Sequence, residues 1–333
     1  MKKRVWLDAF GCDDPAAVIR GAAAALREID GLELAMPGDT GVLRSSLESL
    51  GADMSRVELL EAPQTIYNSD KPTEAVMKKR DSSMIKAMTG LRSDEGAAGL
   101  VTAGSTGAAL AGSAAFLGRM PGVVFPALAS YLPTREDRMA VLVDCGANVD
   151  CRPEALKTFA LLGIALAEST GCADPKVALV SVGTEDEKGN AFSKAAFAML
   201  REMPINFVGN MEARDAVSGK YDVMVCDGFT GNVLLKAIEG GALFVARTFM
   251  KELRKAAPKG ADTGFVNAAF NATMAKMDMQ SLGGAMILGV GKPVVKLHGS
   301  ANEKSVPSGI RQLLELENSG FSARAKQLLE KTV

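Results

Sequence analysis

Histidine is nearly missing from this chain: His298 stands alone among 333 residues, beside one tryptophan and five cysteines. One histidine permits a Ser-His pair in principle, yet no G-x-S-x-G elbow is present. Cys12, Cys145, Cys151, Cys172 and Cys226 are odd in number and scattered without a C-x-x-C, which argues against a disulfide framework and a zinc site. Reduced thiols and no metal are expected. No apolar stretch approaches the roughly 20 residues of a membrane-spanning helix. Lys2-Lys3-Arg4 resembles the basic start of a signal peptide, but the apolar run after it breaks at Asp8. An excess of either charge is missing too: 38 Lys+Arg face 39 Asp+Glu, so nothing global recruits the chain to nucleic acid. The expectation is a cytoplasmic protein, soluble or attached only at a membrane surface.

What is present is a large hydrophobic fraction, 47%, enough to bury a sizeable core. Apolar strands alternate with helices: Val5–Leu7, a helix opened by Asp13-Asp14-Pro15, Leu32–Met36, a helix over 42–50, Val57–Glu61. The rhythm continues with strands at 99–102, 139–144, 177–182, 205–208 and 223–226, and helices at 105–117, 154–168, 191–203 and from near Asn232. Such alternation predicts an α/β fold, a three-layer α/β/α arrangement around a largely parallel sheet, with ligands beyond the carboxyl ends of the strands. The whole of 1–333 reads as one unit, since no repeat or low-complexity tract divides it.

The segment 243–280 breaks the rhythm. Phe244, Phe249, Met250 and Leu253 lie among Arg247, Lys251, Arg254 and Lys255; after Pro258-Lys259-Gly260 come Phe265, Val266, Phe270, Met274 and Met277. Two amphipathic helices joined by a short turn fit this pattern, packed on the body, on a second subunit or against an anionic bilayer.

Three strand-to-helix junctions carry glycines: VTAGSTGAAL (101–110) at Gly104 and Gly107, VLVDCGANVD (141–150) at Gly146, and VCDGFTGNVLL (225–235) at Gly228 and Gly231. Glycine admits close backbone approach, and the first amides of a helix lack internal partners, so several such turns at one sheet edge would favour phosphate. Tight turn geometry is the plain alternative for each. No G-x-x-x-x-G-K-[ST] occurs, and no G-x-G-x-x-G follows the first strand. A lone histidine is by default structural, and GTEDEKGN (183–190) reads either as a solvated loop or, following a strand, as part of a site.

Taken together, LDAFGCDD, KKRDSSM (78–84), TAGSTGA (102–108), VDCGANVDCRPE (143–154), VGTEDEKGN (182–190), FVGNMEARD (207–215), DVMVCDGFTGNVLLK (222–236) and GGAMILGVGKPVVKLHGSA (283–301) resemble the bacterial phosphate acyltransferases of phospholipid synthesis, the PlsX family. The resemblance spans essentially the whole chain. Phe10 and Cys12, Ser105 and Phe125 depart from the family's usual residues.

The resemblance implies a fold similar to phosphotransacetylases and the isocitrate/isopropylmalate dehydrogenases, a homodimer, and conversion of fatty acyl-acyl carrier protein plus inorganic phosphate to acyl phosphate. The product would pass to a membrane glycerol-3-phosphate acyltransferase, with 243–280 touching the membrane surface. No cofactor is expected. Lys188, Asn232 and His298 are the implied catalytic residues; Gly104, Ser105, Thr106, Gly107 and Gly231 are phosphate-binding candidates, and Asp8, Asn148 and Asp227 further site candidates. A phosphotransacetylase-like enzyme using acyl-coenzyme A and a catalytically weak membrane-associated scaffold are the alternatives.

Overall fold

The computed structural model describes residues 3–258, 263–277 and 283–332. Its strands are β1 (Arg4–Asp8), β2 (Glu33–Gly38), β3 (Val57–Glu61), β4 (Ala97–Thr102), β5 (Ala127–Pro133), β6 (Met139–Val143), β7 (Val177–Ser181), β8 (Phe207–Glu212), β9 (Val223–Val225), β10 (Ala285–Leu288) and β11 (Val294–Lys296). The helices are α1 (Pro15–Glu28), α2 (Thr40–Ser49), α3 (Pro72–Lys78), α4 (Ser83–Ser93), α5 (Thr106–Gly112), α6 (Ala155–Ser169), α7 (Ala191–Arg201), α8 (Gly228–Ala256), α9 (Gly264–Met277), α10 (Ser305–Asn318) and α11 (Phe321–Thr332).

Local chemistry explains the starts. Asp14 caps α1 by accepting from the Ala17 amide at 3.0 Å, and Pro15 occupies the first helical position, where a missing N–H costs nothing. Val18, Ile19, Ala22, Ala25 and Leu26 then form one buried stripe.

All strands join one sheet in the order β3-β2-β1-β4-β11-β10-β5-β6-β9-β7-β8. Helices cover both faces, so the central strands are apolar throughout rather than alternating. Side chains of α1, α2, α6, α7, α10 and α11 pack into one core, and those of α3, α4, α5 and α8 into the other.

The topology departs from a single parallel sheet in one consequential way. The strands β3, β2, β1, β4 and β11 are mutually parallel, as are β6, β9, β7 and β8, but β10 is antiparallel to β11 and β5, and β5 is antiparallel to β6. The two parallel halves therefore run in opposite senses. Consequently the glycine turn after β4 and those after β6 and β9 do not share one carboxyl edge, contrary to the sequence expectation. The strand expected at 205–208 instead begins at Phe207: the Ile205 and Phe207 amides are tied back to the Met203 and Ile205 carbonyls, and pairing with β7 starts at Val177 and Phe207.

The region 243–280 is also different in detail. Its first helix is the distal part of α8, 29 residues long, which starts at Gly228 behind the Asp227 cap and runs unbroken past Leu243. Past Leu235 only Met250 of α8 is buried, and α9 packs beside it. Lys259 and Gly260 of the expected turn, and 278–280, lie outside the described residues.

Candidate active site

A cavity of about 780 Å³ opens over β5, β10 and β11, where the two halves of the sheet meet. One wall is a single face of α8: Asn232, Leu235, Lys236, Glu239, Ala242 and Leu243 recur at helical spacing. From Asn232 to Leu243 that face runs about 16 Å at 1.5 Å per residue. Its beginning is polar, with Asn232, Lys236 and Glu239, and its far end apolar, with Ala242 and Leu243; Thr106, Lys296, His298, and Met274 and Ala275 of α9 also line the cavity.

Asp227, a sequence candidate, is the cap of α8: its carboxylate accepts from the Thr230 amide at 2.9 Å and the Thr230 hydroxyl at 2.7 Å. Because the helix begins at Gly228, Asn232 sits one turn inside it, and only its side chain is available to a ligand. Across the gap lies Gly146, at φ +141°, a backbone conformation that favours glycine; a Cβ there would make only ordinary contact with Asn232, at 3.8 Å. The 144–148 loop is held from beneath by the buried Asp144 carboxylate, which accepts from the amides of Leu128, Gly146, Ala147 and Asn148 and from the Asn148 side chain. Asn148 also donates to the Pro126 carbonyl at 2.9 Å, so it braces the loop and does not line the cavity.

Among the phosphate-binding candidates, only Thr106 lines the cavity. Gly231 donates its amide to the Asp227 carbonyl at 3.0 Å, and a Cβ there would lie 1.9 Å from the Asp144 carbonyl oxygen. Gly104 donates to Thr102 Oγ1 at 3.1 Å with Met84 and Asp8 against it, and Gly107 abuts Pro72. Close packing of protein on protein accounts for these three glycines. Ser105 is buried at the start of α5 without a side-chain capping bond.

His298, exposed at the rim, follows β11. Its Nδ1 accepts from the Ser300 amide at 3.2 Å and lies 2.7 Å from the Ser300 hydroxyl, which leaves Nε2 as the donor of the neutral ring. Burial, then the charges of Lys236 and Lys296, lower its pKa, favouring that neutral form.

Beneath it lies Lys296, 5% exposed, in the floor of the cavity. Asp8, Thr102 and Lys296 are register partners across β1, β4 and β11. Asp8 is wholly buried; it accepts from Thr102 Oγ1 at 2.8 Å, and burial raises its pKa against the pull of Ser83, Thr102 and Lys296. Burial also pushes Lys296 down to about 8, with Asp8 opposing. Lys236, Lys296 and Lys304 outnumber Glu239 on the cavity walls, which makes it a place for an anion.

Lys188 is apart. It is exposed in the loop after β7, its amide donating to the Glu185 carbonyl at 3.0 Å, and it lines no part of the cavity. The structure thus brings Asn232, His298 and Thr106 together, places Asp8 behind them through Lys296, and leaves Lys188 outside. Lys296 and Lys236 escaped the sequence reading, although each left a signal: a lysine inside the apolar run PVVKL, and one helical turn after Asn232.

Known proteins carry the same fold and sequence pattern. A phosphotransacetylase from Streptococcus pyogenes superposes with a TM-score of 0.61 at 18% identity, covering 96% of this chain and 94% of that one. A branched-chain phosphotransacylase from Enterococcus faecalis V583 gives 0.60 at 14%, covering 97% and 98%. In sequence, the chain is 38% identical over 330 residues to proteins named phosphate acyltransferase from Bacillus cereus (strain B4264) and Bacillus thuringiensis (strain Al Hakam), covering 98% of each chain. The family model described as "Fatty acid synthesis protein" matches residues 3–324. With both matches running nearly end to end, the chain belongs to the fatty acid synthesis protein family, the group that its ordered motifs resemble.

Proposed function

We propose that this protein is a phosphate acyltransferase that moves a fatty acyl group from acyl carrier protein to inorganic phosphate, releasing acyl phosphate for glycerol-3-phosphate acylation in phospholipid synthesis. The observation that carries this reading is the cavity itself: its α8 wall passes from Asn232 and Lys236, with the charges of Lys236 and Lys296 acting on His298, to the apolar Ala242 and Leu243. An anion and a fatty chain fit its two ends.

The chemistry needs no enzyme nucleophile. Hydrogenphosphate attacks the thioester carbonyl directly, and a thiol with a pKa of about 8.5 is a good leaving group. Cys145 lines the cavity, but burial raises its pKa far above the thiol range, so it is held as an unreactive thiol. The Asn232 amide donates to the developing oxyanion, a contribution of roughly 10²–10³ in rate for one such donor. His298 donates from Nε2 to phosphate, and Thr106 offers its hydroxyl. Lys188, on its exposed loop, gathers phosphate; its role rests on the family resemblance. No cofactor takes part in this scheme.

The exposed Phe244, Phe249 and Phe265 of α8 and α9 support attachment at the cytoplasmic face of a membrane, beside a membrane acyltransferase that takes the product, and a homodimer completes the proposal. The deciding assay is phosphate-dependent release of thiol from long-chain acyl carrier protein, with acyl phosphate trapped by hydroxylamine. Acyl-coenzyme A run beside it separates a phosphotransacetylase-like preference, and loss of neither thioester would point to a scaffold.

A further inference from the structure

We propose that Lys296 is a further catalytic residue: from the cavity floor its ammonium protonates the departing thiolate, and the resulting amine takes the proton of the attacking hydrogenphosphate. This rests on the acyl-transfer reading above and assigns its proton path.

The geometry is that of a buried cation in the wall of the cavity. Lys296 is 5% exposed, yet it is in the lining of the same cavity as Asn232 and His298. An ammonium has three N–H donors. Two meet the carbonyls of Ala103, at 3.3 Å, and Leu297, leaving the third for the cavity. A buried ammonium is costly unless compensated, and a lysine placed only to fill an apolar strand would be better replaced by an aliphatic residue. Asp8, one strand beyond β4 at the same level, supplies the compensating charge without forming an ion pair that would occupy the remaining N–H.

The other charged groups around Lys296 are consistent with a proton carrier. Asp13 and the Cys12 thiol approach from the loop after β1, Lys236 and Glu239 from α8, and His298 and Lys304 from the segment after β11. Burial brings Lys296 to about 8, beside the roughly 8.5 of an alkyl thiol, so proton transfer between them is nearly balanced, the condition under which a general acid works best. His298, with its pKa lowered and Nδ1 engaged by Ser300, is less suited to that task.

The step balances. As the phosphate oxygen forms its bond to the acyl carbon, the C–S bond breaks and its electron pair stays on sulfur. The Nζ proton makes free thiol, and the hydrogenphosphate proton restores the ammonium, leaving acyl phosphate as the dianion.

The test compares wild type, Lys296→Arg and Asn232→Ala on an S-acyl pantetheine and on the S-aryl thioester of the same acid, whose thiol leaves without a proton. Lys296→Arg keeps the charge but cannot deprotonate near neutrality. It should lose about 10²–10⁴-fold on the pantetheine ester, and the loss should shrink at least about tenfold on the aryl ester. Asn232→Ala should lose about equally on both. Wild-type turnover of the pantetheine ester should fall as pH rises through about 8, and Lys296→Arg should lack that limb. Lys296→Met, checked for folding by circular dichroism, should show the same leaving-group pattern; should it not fold, Lys296→Arg decides alone. Lys296→Arg matching wild type on both esters, or equally slow on both, would overturn the assignment. Phosphate-independent or absent thiol release by wild type would instead overturn the acyl-transfer reading, and the Lys296 role with it.

Discussion

Lys296 and Asp8 stand at one level of the sheet, on strands either side of β4, with Thr102 between them hydrogen-bonded to Asp8 at 2.8 Å. Two opposite charges are thereby buried on either side of Thr102. Removing one partner should destabilise the protein by about 3–5 kcal/mol, whereas Asp8→Asn combined with Lys296→Met should cost far less, because no uncompensated charge remains. Urea unfolding of both single variants and the double variant measures this. The pH dependence has a definite sign: with Lys296 lowered in the fold, the unfolded chain holds more protons between about 8 and 10.5, so stability should rise across that window. The double variant should lose that rise.

Asn232→Ala should lower turnover by roughly 10²–10³ while leaving thermal stability near wild type, since the side chain is exposed to the cavity and supports no other element. Steady-state rates of acyl phosphate formation, paired with a melting curve, check both halves. A normal rate would remove Asn232 from the oxyanion role.

Lys188→Ala should raise the KM for phosphate more than it lowers kcat, as expected for an exposed cation that gathers an anion without lining the cavity. The defect should also shrink at high ionic strength, where exposed charges are screened. A loss confined to kcat would mean instead that Lys188 reaches the reacting atoms.

Gly231→Ala should be destabilising by about 1–3 kcal/mol, because its Cβ would meet the Asp144 carbonyl at 1.9 Å, a backbone atom that moves only with the chain around it. Denaturant unfolding measures this, and near-normal stability would show that α8 can shift away from the 144–148 loop.

Phe265→Asp should weaken flotation with anionic liposomes, since Phe265 is 75% exposed on α9 and Phe244 and Phe249 are exposed on α8. Equal flotation of wild type and variant would count against these helices as the membrane contact.

The alternation of strands and helices was legible because each element declares itself locally. Asp14-Pro15 sets the start of α1, and the short, valine-rich run through Val223–Val225, ended by the glycine turn at Gly228, reads as a buried strand. By contrast β5 and β10 were missed. β10 depends on a partner far away in the chain, Met286 pairing with Ala129, and β5, whose Ala129 also pairs with the nearby Val143, is completed on its other side only by that distant strand. The glycine turns misled for a related reason: composition shows that close approach occurs, not what approaches. Pro72 meets Gly107, and the Asp144 carbonyl meets Gly231.

By itself, the amino-acid order determined the kind of layered fold, the start of α1 at Asp14-Pro15 and the family pattern containing Asn232 and His298, because periodicity, capping and motifs are properties of neighbouring residues. Only the tertiary structure decided that the two parallel halves oppose each other across β5 and β10, that Lys188 stands away from the cavity, and that Lys296 forms its floor above a buried carboxylate from the first strand. Those facts depend on register between strands separated by nearly the whole chain, and register is decided by packing and hydrogen bonding across the sheet rather than along it.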